Sequence, residues 1–545
     1  MRLINLINKY TAEIITLVIG SAFGYLLFFS TFYEKNDKIF IASKAWSDFA
    51  SHIPLIRSFS LGFNFPPQFP LFPGEPIKYH FIFYYLVGLL EKVGLNISLA
   101  LNIPSFLGFV LLIFMIYYFA KEIFKSKIIG ILSIIFFLFN SSLSYIYFFI
   151  KYPPSIDSIN QIIKNVDFLS FAPYGDGIIS AFWNLNIYTN QRHLAVSFGL
   201  SLLIIYLAIK PIFKKDKSKK WIYPILGIIL GLSFYLHTAV FLMTIIIFGA
   251  LLIQLKGLRK NIFILLIFAA IFSLPQYLYL NSSPGFSPHF SFGYLSSGDL
   301  TLRTFAEFWI YNLGISIVLI PLGFIFADKF QKKILLAFFM LFIIGNTLQF
   351  SPEIAANHKF FNFFLILGNM FSAFAITKIF KKRLYSFLAP LLIFLIIFGG
   401  IIDLFPILND RKYEIDDYMA NSDSKWIMEN TEKDSIFLNT TYLYNPASLA
   451  GRKIFLGWPY FAWSQGYDTY KRGGVIKSIL GSTNKSEACS LLLENKIDYV
   501  EVKIQDPPDP NIPPISNLFE EEFTKSYENI NTNYSIYSVN NNCGL

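Results

Sequence analysis

The chain predicts a polytopic α-helical membrane protein with a C-terminal soluble α/β domain. Three observations carry that prediction. Of 545 residues, 54% are apolar and 19% aromatic, with mean hydropathy +0.51, above the roughly 45–50% apolar share of soluble domains. Apolar runs of membrane-crossing length recur along most of the chain. Charge then changes sign: residues 1–403 hold 32 Lys/Arg against 16 Asp/Glu, and residues 404–545 hold 13 against 19. The expected division is a transmembrane domain over 1–403 and an extracytoplasmic α/β domain over 404–545.

A bilayer core of about 30 Å needs about 20 apolar residues of helix. Segments 11–30, 98–119, 128–150, 192–209, 222–236, 239–255, 261–280, 308–327, 334–350, 360–377 and 384–403 meet that need, giving about eleven transmembrane helices. The first run lacks a small-residue cleavage site and is read as an anchor. Loops KEIFKSK, KPIFKKDKSKK, KGLRK, DKFQKK and KIFKKR are basic and fall on one side. Positive loops stay inside, so the N-terminus is expected in the cytoplasm and the C-terminal domain outside. The basic excess therefore reflects topology, and nucleic acid is not an expected partner. The run HFIFYYLVGLL (80–90) is short for a span and is read as a juxtamembrane helix of the first external loop, 31–97.

In this topology all six histidines, His52, His80, His193, His237, His289 and His358, lie on the external side. The stretch from Trp46 to His80 concentrates Asp48, His52, Arg57, Glu75, Lys78 and His80. On a helix Asp48 and His52 share a face. The run FNFPPQFPLFPGEP then opposes regular helix or strand, because proline removes a donor and constrains its predecessor. YTNQRHLAVSFG sets Arg192 and His193 at the entry of a span, and SPEIAANHKFFNF sets Glu353, His358 and Lys359 at another. Arg and Lys at such places either snorkel to the interface or bind phosphate oxygens. The second external loop, 151–191, contains Asp157, Asp167, Asp176, Tyr174, Trp183 and Tyr188 and reads as a lid or a packed plug.

The C-terminal domain reads as helix in EIDDYMANSDSKWIMENT and SEACSLLLENK, and as strand in SIFLN, KIFLG and DYVEVK. The stretch PASLAGRKIFLGWPYFAWSQGYDTYKRGG, with Arg452, Trp458, Trp463, Asp468 and Arg472, reads either as an aromatic core segment or as an acceptor contact. Its two cysteines, Cys489 and Cys543, stand in a compartment that permits a disulfide, and their pairing is left open. A GxGxxG nucleotide loop is absent.

The order of one span, a large loop with an acid near its start, a Pro/Gly-rich passage ending KYHFIFYYLVGLL, and a span opening NIPSFLGFVLLIFMIYYFAKEIF resembles the GT-C superfamily of membrane glycosyltransferases. That superfamily includes protein O-mannosyltransferases, aminoarabinose transferases and oligosaccharyltransferase catalytic subunits. The NQRH and NHKF motifs and a GR…GW…W..G pattern make the chain most similar to prokaryotic branches. The resemblance implies an integral enzyme of a prokaryotic plasma membrane. It would move a sugar, with inversion, from a polyprenyl-phosphate carrier to a glycan, lipid or protein acceptor on the external face. It implies Asp48 as catalytic carboxylate with His52 beside it, and Lys78, Arg192 and Lys359 as phosphate ligands. His80, His193, Glu353, His358 and Asp176 are further site candidates. A divalent metal, Mg or Mn, would want several oxygen ligands, whereas Ser47-Asp48-Phe49 offers one acid. The alternative is a non-catalytic translocator or binding protein for lipid-linked glycans, which should carry ionisable groups at mid-membrane or internal repeats.

Overall fold

A computed structural model describes residues 2–168, 177–214, 220–282, 285–296, 299–381, 386–504 and 511–544. It comprises two compact units. The first contains Met1–Thr31, Asn102–Gln276 and Ser287–Arg411; the second contains Phe32–Leu101, Tyr277–Phe286 and Lys412–Leu545.

Among the described residues, six helices are long and apolar enough to cross a membrane: Tyr10–Phe29, Ile97–Phe124, Arg192–Phe213, Lys256–Leu280, Ile354–Phe380 and Leu388–Leu408. Leu302–Leu313 and Ser316–Phe326, bent by 86°, make a seventh if joined. These six or seven stand against eleven expected spans, and the difference has local causes. Segment 128–150 divides into Lys127–Leu138 and Ser144–Lys151 around Asn140, Ser141 and Ser142, whose side chains hydrogen-bond locally and across the unit. Segment 222–236 ends in a 3-10 turn, and Thr238–Gln254 has 17 residues. The 17 residues of Lys329–Gly345 open on KFQKK.

The first unit is organised on the helix His358–Phe380, whose residues from Phe360 to Ile376 are all buried. A helix apolar all round needs neighbours on every side. Lys127–Leu138, Ser316–Phe326 and Lys329–Gly345 supply them.

The second unit is mixed. Phe32–Lys35, Lys38–Ala42 and Lys412–Asp416 form an antiparallel sheet in that order, so Glu414, Ile415 and Asp416, expected to begin a helix, lie in a strand, and helix starts at Ser422. Lys38–Ala42 pairs on both sides, and a partner strand that supplies alternate backbone groups outweighs the weak helical propensity of Asp and β-branched Ile. A five-stranded sheet runs Tyr527–Asn529, Tyr534–Ser538, Tyr499–Lys503, Ile436–Leu438 and Lys453–Ile454. Ile436–Leu438, Lys453–Ile454 and Tyr499–Lys503 stand where the sequence reading set strands, and Tyr527–Asn529 and Tyr534–Ser538 are additional. The proline-rich passage, expected to be irregular, closes as a short two-stranded pair, Gln68–Phe69 with Phe72–Pro76. At its turn the Pro70 carbonyl accepts from the Ile454 N–H at 2.9 Å, a contact that asks no proline to donate. Residues 80–90 give the helix Ile82–Lys92. Cys489 and Cys543 are joined, closing a loop across 54 residues.

Arg57 is the centre of this unit. Its guanidinium is fully buried, bonded through Nε to Glu91 at 3.1 Å, through Nη1 to Asp417 at 2.6 Å and to the Leu449 carbonyl at 3.0 Å. It also lies 4.6 Å over the Tyr418 ring. Just beyond, Gly62 meets Gly451 so closely that a Cβ on Gly62 would stand 2.1 Å from the Gly451 carbonyl oxygen.

Two carboxyls in this unit are held against their charge. Burial pushes Glu501 up to about 7, although Tyr534 and Asn445 donate to it. Burial, with Asp417 nearby, pushes Glu34 up to about 7. Both lie above the unfolded value of 4.5, so the folded state binds more protons, and stability falls as pH rises from about 4.5 to about 7. Chemical unfolding of purified protein across that range should show the decline. Glu501→Gln should flatten part of it, and an unchanged slope would remove Glu501 as a source.

Candidate functional site

The expected site residues fall into two neighbourhoods, one in each unit. In the second unit Asp48 occupies the first turn of the helix Trp46–Ser60, where the positive end of the helix dipole favours a carboxylate. The sequence folds this way because Trp46 to Ser60 carries an apolar stripe that buries Phe49, Ile53 and Ile56. Asp48 itself stays partly exposed. Burial and then the charge of Asp48 push up the Tyr79 phenol, which also hydrogen-bonds Tyr84. Tyr444 is raised by the same two causes, and its hydroxyl donates to the Trp46 carbonyl. Two protonated phenols thus stand near one carboxylate.

Imidazoles complete the neighbourhood. His52, one turn after Asp48 and buried, lies with its ring centroid 4.8 Å from that of Tyr84. His80 is buried and stacks on Tyr79 at 3.8 Å. Lys78 has partners within the protein. Its ammonium pairs with Glu75 at 2.9 Å and sits 4.4 Å over the Tyr467 ring, with its side chain 6% exposed. Its charge is already met by protein. The phenols Tyr79, Tyr84 and Tyr444 were not singled out from sequence. Only their neighbourhood to Asp48 marks them, and 396 residues separate Tyr444 from Asp48 along the chain.

In the first unit His193 and His237 are buried with ring centroids 4.9 Å apart. Burial, followed by His193, Lys359 and His358, holds His237 well below the ordinary imidazole range. Lys359 follows His358 at the start of the helix His358–Phe380, a position where free N–H groups and the dipole favour anions. The His358 ring lies against Phe182 at 4.6 Å and Asn362 at 3.2 Å. Glu353 caps the preceding turn by accepting from the Ala355 N–H. Asp176 lies outside the described residues, as does Tyr174.

Arg192 is fully buried. Its Nε donates to the Thr189 carbonyl at 2.7 Å, Nη1 to Asn102 at 3.0 Å and Nη2 to Thr31 at 2.9 Å, while its plane covers Phe28 at 4.7 Å. It therefore ties the ends of three membrane helices together. The second loop is held by amides that sequence reading passed over. Asn312 accepts from the Ile179 N–H and the Trp183 indole and donates to the Gly177 carbonyl, and Asp403 accepts from Ser141 and Asn184.

As metal ligands, His193 and His237 are nitrogen donors suited to zinc-type ions, whereas magnesium and manganese prefer oxygen.

No protein-family model matches the sequence, and no curated protein matches it. Solved structures do match. The oligosaccharyltransferase of Archaeoglobus fulgidus, tethered to an acceptor peptide containing the NVT sequon, aligns with TM-score 0.51 at 14% identity over 92% of this chain and 70% of that one. The chain resembles that oligosaccharyltransferase in its fold. The apo form of the same enzyme aligns with TM-score 0.52 at 15% identity, covering 91% and 70%. Its complex with an inhibitory peptide and a dolichol-phosphate aligns with TM-score 0.51 at 14% identity, covering 91% and 70%. At these identities the likeness is one of fold.

The bonds of Arg192 generate a prediction. Arg192→Met keeps length and the contact with Phe28 but strands three buried acceptors. Each charged hydrogen bond contributes about 1.5–3 kcal/mol, so the membrane unit should lose several kcal/mol and unfold at lower temperature in detergent. An unaltered melting temperature would remove the tether and leave the guanidinium to a ligand.

Proposed function

We propose that the chain is an integral-membrane glycosyltransferase that moves a sugar from a polyprenyl-phosphate-linked donor to an acceptor on the extracytoplasmic face. The observation that carries the reading is Asp48, a partly exposed carboxylate at a helix N-terminus beside phenols and imidazoles. The fold shared with an oligosaccharyltransferase, one of whose structures holds a dolichol-phosphate, supports a lipid-linked donor. The N-terminus is assigned to the cytoplasm and the C-terminal residues to the outside, by the side on which the basic loops gather.

In this reading Asp48 takes the proton of the acceptor hydroxyl or amide as its oxygen or nitrogen attacks the anomeric carbon. The bond from that carbon to the carrier phosphate oxygen breaks, the phosphate leaves with the electron pair, and configuration inverts. Tyr79 keeps Asp48 oriented and His52 supports the helix face behind it. Lys359, with the N-terminus of its helix, is assigned to the departing phosphate, where a cation stabilises charge as it develops. Arg192 and Lys78 act as positioning residues because their donors are engaged within the protein. Were a divalent cation bound, His193 and His237 of the first unit would be nitrogen donors to it, and it would supply Lewis-acid stabilisation of the leaving phosphate.

Asp48→Asn keeps shape and removes the base, so turnover should fall by about 10² to 10⁴, while His52→Ala falls less. Lys359→Ala should raise the donor KM more than it lowers thermal stability. The assay is sugar transfer from a polyprenyl-phosphate donor by purified variants of matched melting temperature. Full turnover in Asp48→Asn would sink its role and turn attention to Glu353 and Asp176.

A further inference from the structure

The outer end of the helix Arg259–Leu280 belongs to the second unit from Tyr277 onward, and exposed aromatic side chains gather there that the proposed reaction leaves unused. Two attachments bring them together. The Tyr279 hydroxyl donates to the Pro67 carbonyl at 2.8 Å, which fixes a turn whose Phe63 and Phe65 are 56% and 76% exposed. Separately, Gly466 packs on Phe286 so tightly that a Cβ would stand 3.0 Å from the Phe286 nitrogen, and its φ of +88° suits glycine alone. The Gly466 N–H donates to the Trp463 carbonyl at 2.8 Å. Trp463 and Tyr460, with ring centroids 5.8 Å apart, are 42% and 46% exposed.

We propose that Phe63, Phe65, Tyr460 and Trp463 form an interfacial collar that seats the second unit in the boundary between phospholipid headgroups and acyl chains. The occupant follows from continuity. Tyr277 and Leu278, on the last turns of a helix apolar enough to cross a membrane, are themselves 52% and 60% exposed, so the surface they begin is a lipid surface. Trp and Tyr concentrate at that boundary because the ring is apolar and its N–H or O–H needs water or headgroups. A collar fastened at two points, one by a hydrogen bond to Tyr279 and one by backbone packing on Phe286, extends the lipid-facing surface onto the soluble unit. It stands independently of the transferase reading.

The test uses the full chain in nanodiscs of phosphatidylcholine and phosphatidylglycerol, with nitroxide labels at Trp463→Cys, Phe65→Cys and, as reference, Ile530→Cys, an apolar position 82% exposed on the strand-connecting turn after Asn529. Native Cys489 and Cys543 are disulfide-bonded and take no label. Labels at 463 and 65 should be more accessible to oxygen relative to a water-soluble nickel complex, by about threefold over the label at 530. Tyr460→Cys and Phe63→Cys provide second probes should either first variant misfold. Labels as open to nickel as the one at 530 would overturn the collar. So would protection at 463 that appears only when soluble glycan is added, which would make the patch a sugar platform.

Discussion

A guanidinium with no contact to water persists only where its charge and its donors are met by protein, and that constraint orders the second unit around Arg57. Desolvating one cation costs several kcal/mol unless close anions repay it. Glu91 and Asp417 do so, at 6% and 7% exposure, and Leu449 takes a remaining donor. The three partners come from the helix Ile82–Lys92, from the residue after the strand Lys412–Asp416, and from the short helix Pro446–Leu449. Satisfying one side chain thus gathers an early loop and the C-terminal residues into a single unit. Asp48 rides nine residues earlier on the same helix, so its orientation is inherited from the anchoring of Arg57.

The first unit solves the same problem differently. Arg192 has no carboxylate among the partners above; it has a hydroxyl, an amide oxygen, a backbone carbonyl and an aromatic face. These neutral acceptors meet its donors at the end of membrane helices, where burying an acid beside it would add a second desolvation cost. Lys359, at the start of the helix His358–Phe380, contributes after burial and His193 to lowering His237.

What sequence disclosed and what it hid follow from range. The helical face shared by Asp48 and His52 is a local property, and it is present in Trp46–Ser60. Hydropathy likewise marked the long helices, but it cannot register a break such as that at Asn140 to Ser142, because the polar side chains are few within an apolar run. The strand at Lys412–Asp416 was hidden for another reason: its partner Lys38–Ala42 lies far away in sequence, with Lys38 bonded to Glu414 across 376 residues. Composition placed a boundary near residue 404, whereas contacts draw Phe32–Leu101 into the same unit as the C-terminal residues. The functions of Arg192 and Lys78 were ambiguous because a basic residue near a membrane reads the same whether its partners are phosphate or protein. The protein partners that the fold supplies lie far off in sequence: Asn102 is 90 residues from Arg192, and Tyr467 is 389 from Lys78.

Asp48 differs from Arg57 and Arg192 in a way that bears on chemistry. A group used for stability is driven toward complete burial and complete pairing, since each unmatched atom costs free energy. Asp48 is only partly buried, stands where the helix dipole favours its anion, and faces phenols that burial keeps protonated. A carboxylate so placed keeps an exposed face, which the proposed role as proton acceptor requires and a fully buried ion pair gives up. Within one helix, therefore, Arg57 is a buried and paired group and Asp48 a partly exposed one. The separation by nine residues lets the second be held still by the first without being consumed by it.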